Sequence, residues 1–261
     1  MGIEDLEINK GSQQITPDEI KDLTIVDHLG DTLPLDLEFK DETGKTVKLG
    51  DYFKDDKPVI INMMYFYCPM ACSSIVSELC GTLDKLSKGK RPLIAGKDYR
   101  MLTISFSTRP DLLEGPELAA QKKEAYMGSF DMKHAEKEWA FLTGTPENVK
   151  KLTNALGFQY KWSEEKKEYI HPAVTYVATP KGKISRYHAD MFIADFDLRM
   201  SLIEAGEGKL GSAIDQIIRF CFSYDPISRK YVRNAKSLMT LSGAVVLVMF
   251  IIFFAFMIKG E

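Results

Sequence analysis

Val59 to Tyr67 reads VIINMMYFY, an uncharged run closed by Pro58 on one side and by Cys68-Pro69 on the other. A continuous apolar run of this length, rich in β-branched and aromatic residues, predicts a central strand buried on both faces. Cysteines at 68 and 72 follow at once.

The remaining pattern alternates between short strands and helices. Leu35 to Phe39 and Val47 to Leu49, around Asp41-Glu42-Thr43-Gly44, predict a small hairpin. A helical pattern runs from about Met70 to Leu86, with Ile75, Val76, Leu79, Leu83 and Leu86 on one face. Strands are expected at Met101–Phe106, Ala140–Leu142 and Phe158–Trp162, and a charged loop, SEEKKEY, follows the last. A helix is expected from about Pro116 to Gly128. Another runs to about Leu156, with Thr145 as N-cap and Pro146 in the first turn. Val174–Ala178 and Ile184–Tyr187 read as a hairpin around Pro180-Lys181-Gly182-Lys183, and residues 195–205 and 212–222 as amphipathic helices. Alternation ending in a hairpin predicts an α/β sandwich with a mixed sheet. A cysteine motif after the long buried strand suits a thioredoxin-like fold with an N-terminal hairpin extension.

Composition narrows the function. The net charge of −3, with no block of basic residues, argues against nucleic acid as the main partner. From Ser237 to Ile258 no residue is charged, and at about 1.5 Å per residue such a helix is long enough for a bilayer core. The expected organisation is an extended arm over 1–33, a thioredoxin-like domain over 34–224, a basic linker over 225–236 and a transmembrane helix over 237–258. The polar start, MGIEDLEINKGSQQ, has no apolar signal core.

Four cysteines are too few for a disulfide scaffold, so the pair at 68 and 72 calls for a chemical reason. On a helix, positions four apart share one face. The two sulfurs can therefore hold one ion or close a disulfide, although two small buried residues at a packed turn would read the same way. A helix N-terminus also favours thiolates. Two thiolates make half a metal site, and the best third ligand among His28, His134, His171 and His188 is His171, which precedes Pro172 in a loop entering a strand. His188 is the second choice, and His134 reads as a surface residue. Cys80 and Cys221 read as packing thiols. Met70, between the paired cysteines, offers a soft auxiliary ligand for Cu(I).

Strand, Cys-Pro-x-x-Cys and a distal histidine before a strand together resemble the Sco/SenC family of copper-binding proteins. The likeness extends through FKDETGKTVKLGDYF, KPVIINMMYFYCPMACS, PELAAQKKEAYM, FLTGTPENVKKL and IHPAVTYVATPKGKISRYH. The ending CFSYDPISRKY before an apolar span resembles the subgroup with a C-terminal membrane anchor. The resemblance implies a thioredoxin-like domain outside the cytoplasmic membrane, with copper on Cys68, Cys72 and His171. It also implies support for assembly of the CuA centre in subunit II of cytochrome c oxidase. Thiol–disulfide reduction of the oxidase cysteines by Cys68 and Cys72, or copper or redox sensing, are the alternatives. In one departure, Ser107 stands where many relatives carry Asp. Arg229, Lys230, Arg233 and Lys236 precede the span and only Lys259 follows it. The positive-inside tendency would hold the domain in the cytoplasm, but long domains translocate largely regardless of it. An outer-face domain is therefore expected, with its export signal absent from this sequence.

Overall fold

The computed structural model describes residues 23, 25–68, 71–89, 91–129, 135–210, 222–225 and 230–233. In chain order the first elements are β1 (Glu38–Lys40), β2 (Thr46–Lys48), β3 (Val59–Met64), α1 (Ala71–Lys88), β4 (Arg100–Ser105) and α2 (Pro116–Ser129). Next come β5 (Trp139–Leu142), α3 (Pro146–Ala155), β6 (Lys161–Ser163) and β7 (Glu168–Ile170). The last are β8 (Thr175–Ala178), β9 (Ile184–His188), α4 (Asp195–Gly206), β10 (Phe222–Asp225) and β11 (Lys230–Arg233).

A five-stranded sheet in the order β5-β4-β3-β8-β9 forms the centre. All six β3 side chains are buried, Asn62 among them. Strand β3 pairs in parallel with β4 and antiparallel with β8, so both its edges are hydrogen-bonded. Strand β5 extends the parallel set beyond β4, and β9 pairs antiparallel with β8. Helices α1 and α2 connect the parallel strands, and α4 packs against α1, β8 and β9. This is a mixed α/β, thioredoxin-like fold.

Local signals explain most element ends. The Thr145 hydroxyl accepts the Asn148 N–H at 3.3 Å, and Pro146 opens α3 where an N–H would have no helical partner. Hairpin β1–β2 docks at the end of β5: the Lys40 N–H donates to the Thr143 carbonyl at 2.7 Å, and the Thr143 N–H returns the bond at 2.9 Å.

Several sequence expectations shift. Leu35 and Asp36 form a turn, with the Leu37 N–H on the Pro34 carbonyl, so β1 starts three residues later than expected. Strand β3 stops at Met64, and the chain turns through Tyr65–Tyr67. The strand expected at 158–162 is instead the 161–163 arm of a hairpin with β7, so the charged loop supplies its turn and its second strand. The expected boundary after residue 224 cuts through β10, which pairs from Phe222↔Arg233 to Asp225↔Lys230 with a strand inside the expected linker. The span 237–258 and residues 212–221 of the expected last helix lie outside the described residues. Among the described residues no helix is long and apolar enough to cross a membrane.

A row of polar side chains crosses the buried sheet, which the apolar reading of β3 missed. Register aligns Thr103, Asn62, Thr175 and His188. The Trp139 Nε1–H donates to Thr103 Oγ1, and the Thr175 hydroxyl donates to Asn62 Oδ1, both at 2.9 Å. His188 Nε2 meets Ser201 Oγ at 2.9 Å. Buried polar groups survive in such a core when they find partners like these.

The described part of the arm, 25–33, runs across two loops of the domain. The Val26 N–H donates to the Gly157 carbonyl at 3.0 Å, and the Leu33 N–H to the Gly182 carbonyl at 2.8 Å. Gly157 has φ +66°, and a Cβ there would stand 2.0 Å from the Val26 carbonyl oxygen. Gly157→Ala should therefore lower the unfolding free energy, by about 1–2 kcal/mol for left-handed backbone alone and further because the arm must lift, and with it the denaturant midpoint. Gly44→Ala, at φ +84° with open space around it, should cost the backbone strain alone. Parallel urea melts of the two variants check the difference.

Candidate metal centre

Strand β3 delivers Cys68 to the carboxyl end of the central strand, where α/β sheets present their chemistry. The turn is closed by the Cys68 N–H on the Tyr65 carbonyl at 3.1 Å. Cys68 is buried, whereas its neighbour Tyr67 is exposed. Cys72 belongs to the first turn of α1, and its side chain lies outside the described residues, as do Met70, His134 and Cys221.

His171 follows β7 in the loop that enters β8. Because β8 runs antiparallel to β3, with Thr175 opposite Asn62, that loop leaves the sheet at the end where β3 delivers Cys68. An aromatic cluster links the two segments. Tyr65 meets Phe106 at 5.8 Å and Tyr169 at 5.2 Å, and the His171 ring packs on Phe106 at 5.1 Å and Phe158 at 5.8 Å. Tyr169 ties the histidine hairpin to the loop after β4, its hydroxyl oxygen accepting the N–H groups of Thr108 and Arg109 at 3.2 Å. Arg109 also lies over the Trp162 ring at 4.3 Å and pairs with Asp111 and Glu164.

The His171 ring is held in its neutral form. Its Nδ1 lies 3.0 Å from the Pro172 carbonyl oxygen. A carbonyl only accepts, so Nδ1 carries the proton and the lone pair resides on Nε2. A backbone carbonyl on the second ring nitrogen is the usual support of a metal-binding histidine. Burial disfavours the imidazolium and pushes the pKa below the ordinary histidine value, against the Pro172 hydrogen bond. The other described histidines are engaged elsewhere. His28 pairs with Asp31 at 2.9 Å in the arm, and His188 belongs to the polar row. Cys80 is fully buried, and desolvation pushes its thiol up to about 12. It stays protonated near neutrality and serves as core, as its sequence context suggests. Among the described residues no group of three or more His, Cys, Asp or Glu side chains is arranged to hold a metal; that set does not contain the Cys72 thiol.

Sequence reading missed one residue. Glu114, in the loop before α2, is a buried carboxylate whose Oε1 accepts the Tyr67 N–H at 2.8 Å. Its Oε2 accepts the Ser105 hydroxyl at 2.7 Å. Burial raises its pKa, against the hydrogen bonds from Ser105, Phe66 and Tyr67. In the sequence it reads as an ordinary acid ahead of a helix, with no signal of a contact 47 residues away. Ser107 closes its own loop by donating to the Leu112 carbonyl at 2.6 Å.

A thioredoxin-like domain with its chemistry gathered at the carboxyl end of the central strand is the class that this fold defines. Within it, the SCO1/SenC family model matches residues 31–192, more than half of the chain, and the chain belongs to that family. Solved structures agree on the fold. A putative electron transport protein from Aquifex aeolicus VF5 is 25% identical at TM-score 0.55, over 69% of this chain and 99% of its own. A putative electron transfer protein from the same organism is 24% identical at TM-score 0.58, over 69% and 95%. ScoI of Arabidopsis thaliana, solved with copper bound, is 17% identical at TM-score 0.51, over 69% and 99%. None of the curated proteins matches this chain.

The burial of His171 sets a pH dependence. Its folded pKa lies below the unfolded value of about 6.5, so on acidification the unfolded chain takes the proton first and stability falls. His171→Asn should flatten the fall in thermal midpoint between about pH 7 and pH 5, where wild type loses this contribution.

Proposed function

We propose that this chain is a copper metallochaperone that takes copper on Cys68, Cys72 and His171 and supports assembly of the CuA centre in subunit II of cytochrome c oxidase. The carrying observation is His171, neutral and with Nδ1–H on the Pro172 carbonyl, entering the sheet at the end where β3 delivers Cys68. Family membership and the copper held by Arabidopsis ScoI support the choice of metal. Thiolates are soft ligands that suit Cu(I), and imidazole accepts either copper oxidation state. Copper is cargo in this reading. Three protein ligands leave a position open through which a partner's thiolates could take it, whereas structural zinc sites close with four.

Residues 237–258 serve as the membrane anchor, with the domain over 34–224 on the outer face of the cytoplasmic membrane and the basic residues of 225–236 beside the headgroups. That side is where an oxidase's CuA site is assembled. A protease-accessibility assay on cells carrying the native gene product tests the placement, and a domain protected in spheroplasts refutes it.

Anaerobic Cu(I) titration tests the ligand set. Cys68→Ser, Cys72→Ser and His171→Ala should each weaken binding by at least about tenfold, because each removes one of three ligands. Cys80→Ser should bind as wild type does. Undiminished binding by His171→Ala would favour thiol–disulfide exchange, which needs the two sulfurs and no histidine.

A further inference from the structure

We infer that Glu114 is a positioning residue for the copper site, holding the Tyr65–Cys68 turn so that the Cys68 sulfur is presented in one place. The inference rests on the copper reading above for its function, but its geometry stands by itself.

The turn hangs from the end of β3 and is held by backbone ties of two kinds, a local one and those to Glu114, which accepts from Phe66 as well as Tyr67. The local tie is the Cys68 N–H on the Tyr65 carbonyl. The Tyr67 N–H donates to Glu114 Oε1 at 2.8 Å. Tyr67 itself is 55% exposed, so its own side chain does little to fix the peptide. Rotation of the Phe66–Tyr67 peptide would re-aim everything that follows, Cys68 first. The carboxylate is itself held, with Oε2 on the Ser105 hydroxyl at 2.7 Å, while Ser105 Oγ also receives the Ser107 N–H at 3.2 Å. A chain of hydrogen bonds thus runs from the end of β4 through Ser105 and Glu114 to the peptide before Cys68. Both ends are anchored on adjacent strands, since Met64 pairs with Ser105. An acid placed for N-terminal helix electrostatics would be exposed at the first turn of α2. Glu114 instead lies two residues before that helix, is 9% exposed and is directed at a different strand. The Ser107 hydroxyl donates to the Leu112 carbonyl of its own loop, and the carboxylate in this corner is that of Glu114.

Three variants test the inference in the full chain, reduced, metal-free and in detergent. Glu114→Ala removes these contacts. Glu114→Gln keeps them, because the amide oxygen accepts the Tyr67 N–H and the amide nitrogen donates to Ser105 Oγ. Ser105→Ala frees the carboxylate at its far end. The first readout is the rate at which iodoacetamide alkylates Cys68, followed by peptide mass spectrometry, with fully buried Cys80 as the internal control. Glu114→Ala should speed modification of Cys68 several-fold while Cys80 stays as slow as in wild type, and Glu114→Gln should stay close to wild type. Where Glu114→Ala fails to fold, Ser105→Ala should show the same selective gain at Cys68. The second readout is Cu(I) affinity by competition with bicinchoninate, where Glu114→Ala should lose about tenfold or more and Glu114→Gln should retain most of its binding. Equal acceleration at Cys68 and Cys80, no acceleration, or a glutamine variant as altered as the alanine one would overturn the inference. A wild-type chain that binds no Cu(I) but shows the selective alkylation pattern would refute the copper reading and leave the positioning role standing.

Discussion

Strand β3 is hydrogen-bonded along both edges and buried on both faces, and the placement of Cys68 and of the His171 loop follows from that. A strand in this position cannot fray or slip, because a one-residue shift would turn Asn62 away from Thr103 and Thr175 and reverse all six side chains. It therefore delivers its last residue, Met64, at a fixed point. Cys68, four residues on, inherits that precision as far as the turn between them is held.

The turn is held from two directions. Its own backbone supplies the Tyr65–Cys68 bond, and the neighbouring strand supplies Glu114 through Ser105. The His171 loop reaches the same end by a separate route, since β8 enters the sheet antiparallel beside β3 and its hairpin predecessor is tied by Tyr169 to the loop after β4. Aromatic rings from four segments pack between these two routes. Burial disfavours the charged form of the His171 ring in that setting.

The loop after β4 is closed from within. Ser107 supplies a hydroxyl that satisfies the Leu112 carbonyl, which closes the loop and brings Glu114 back toward the sheet. A carboxylate is well suited to that buried corner because its two oxygens accept at once from the turn after β3 and from the end of β4. Those bonds offset part of its burial cost, and desolvation still holds its pKa above the ordinary value.

Periodicity and composition alone made legible the doubly buried strand, the helix after it, the parallel neighbours, the final hairpin and the Thr145 cap, because each follows from local patterns of burial and backbone chemistry. The cysteine pair and His171 were legible as candidates, since chemistry-bearing residue types at a strand end stand out against an apolar background. Tertiary structure decided what local pattern leaves open: where β3 stops, that a charged loop becomes one strand of a hairpin, that β10 and β11 pair across an expected boundary, and that a polar row crosses the core. It also decided the role of Glu114, whose partner lies 47 residues earlier. Hydrogen bonds between distant segments depend on sheet order and register, and those are properties of the whole packed chain rather than of any stretch of it.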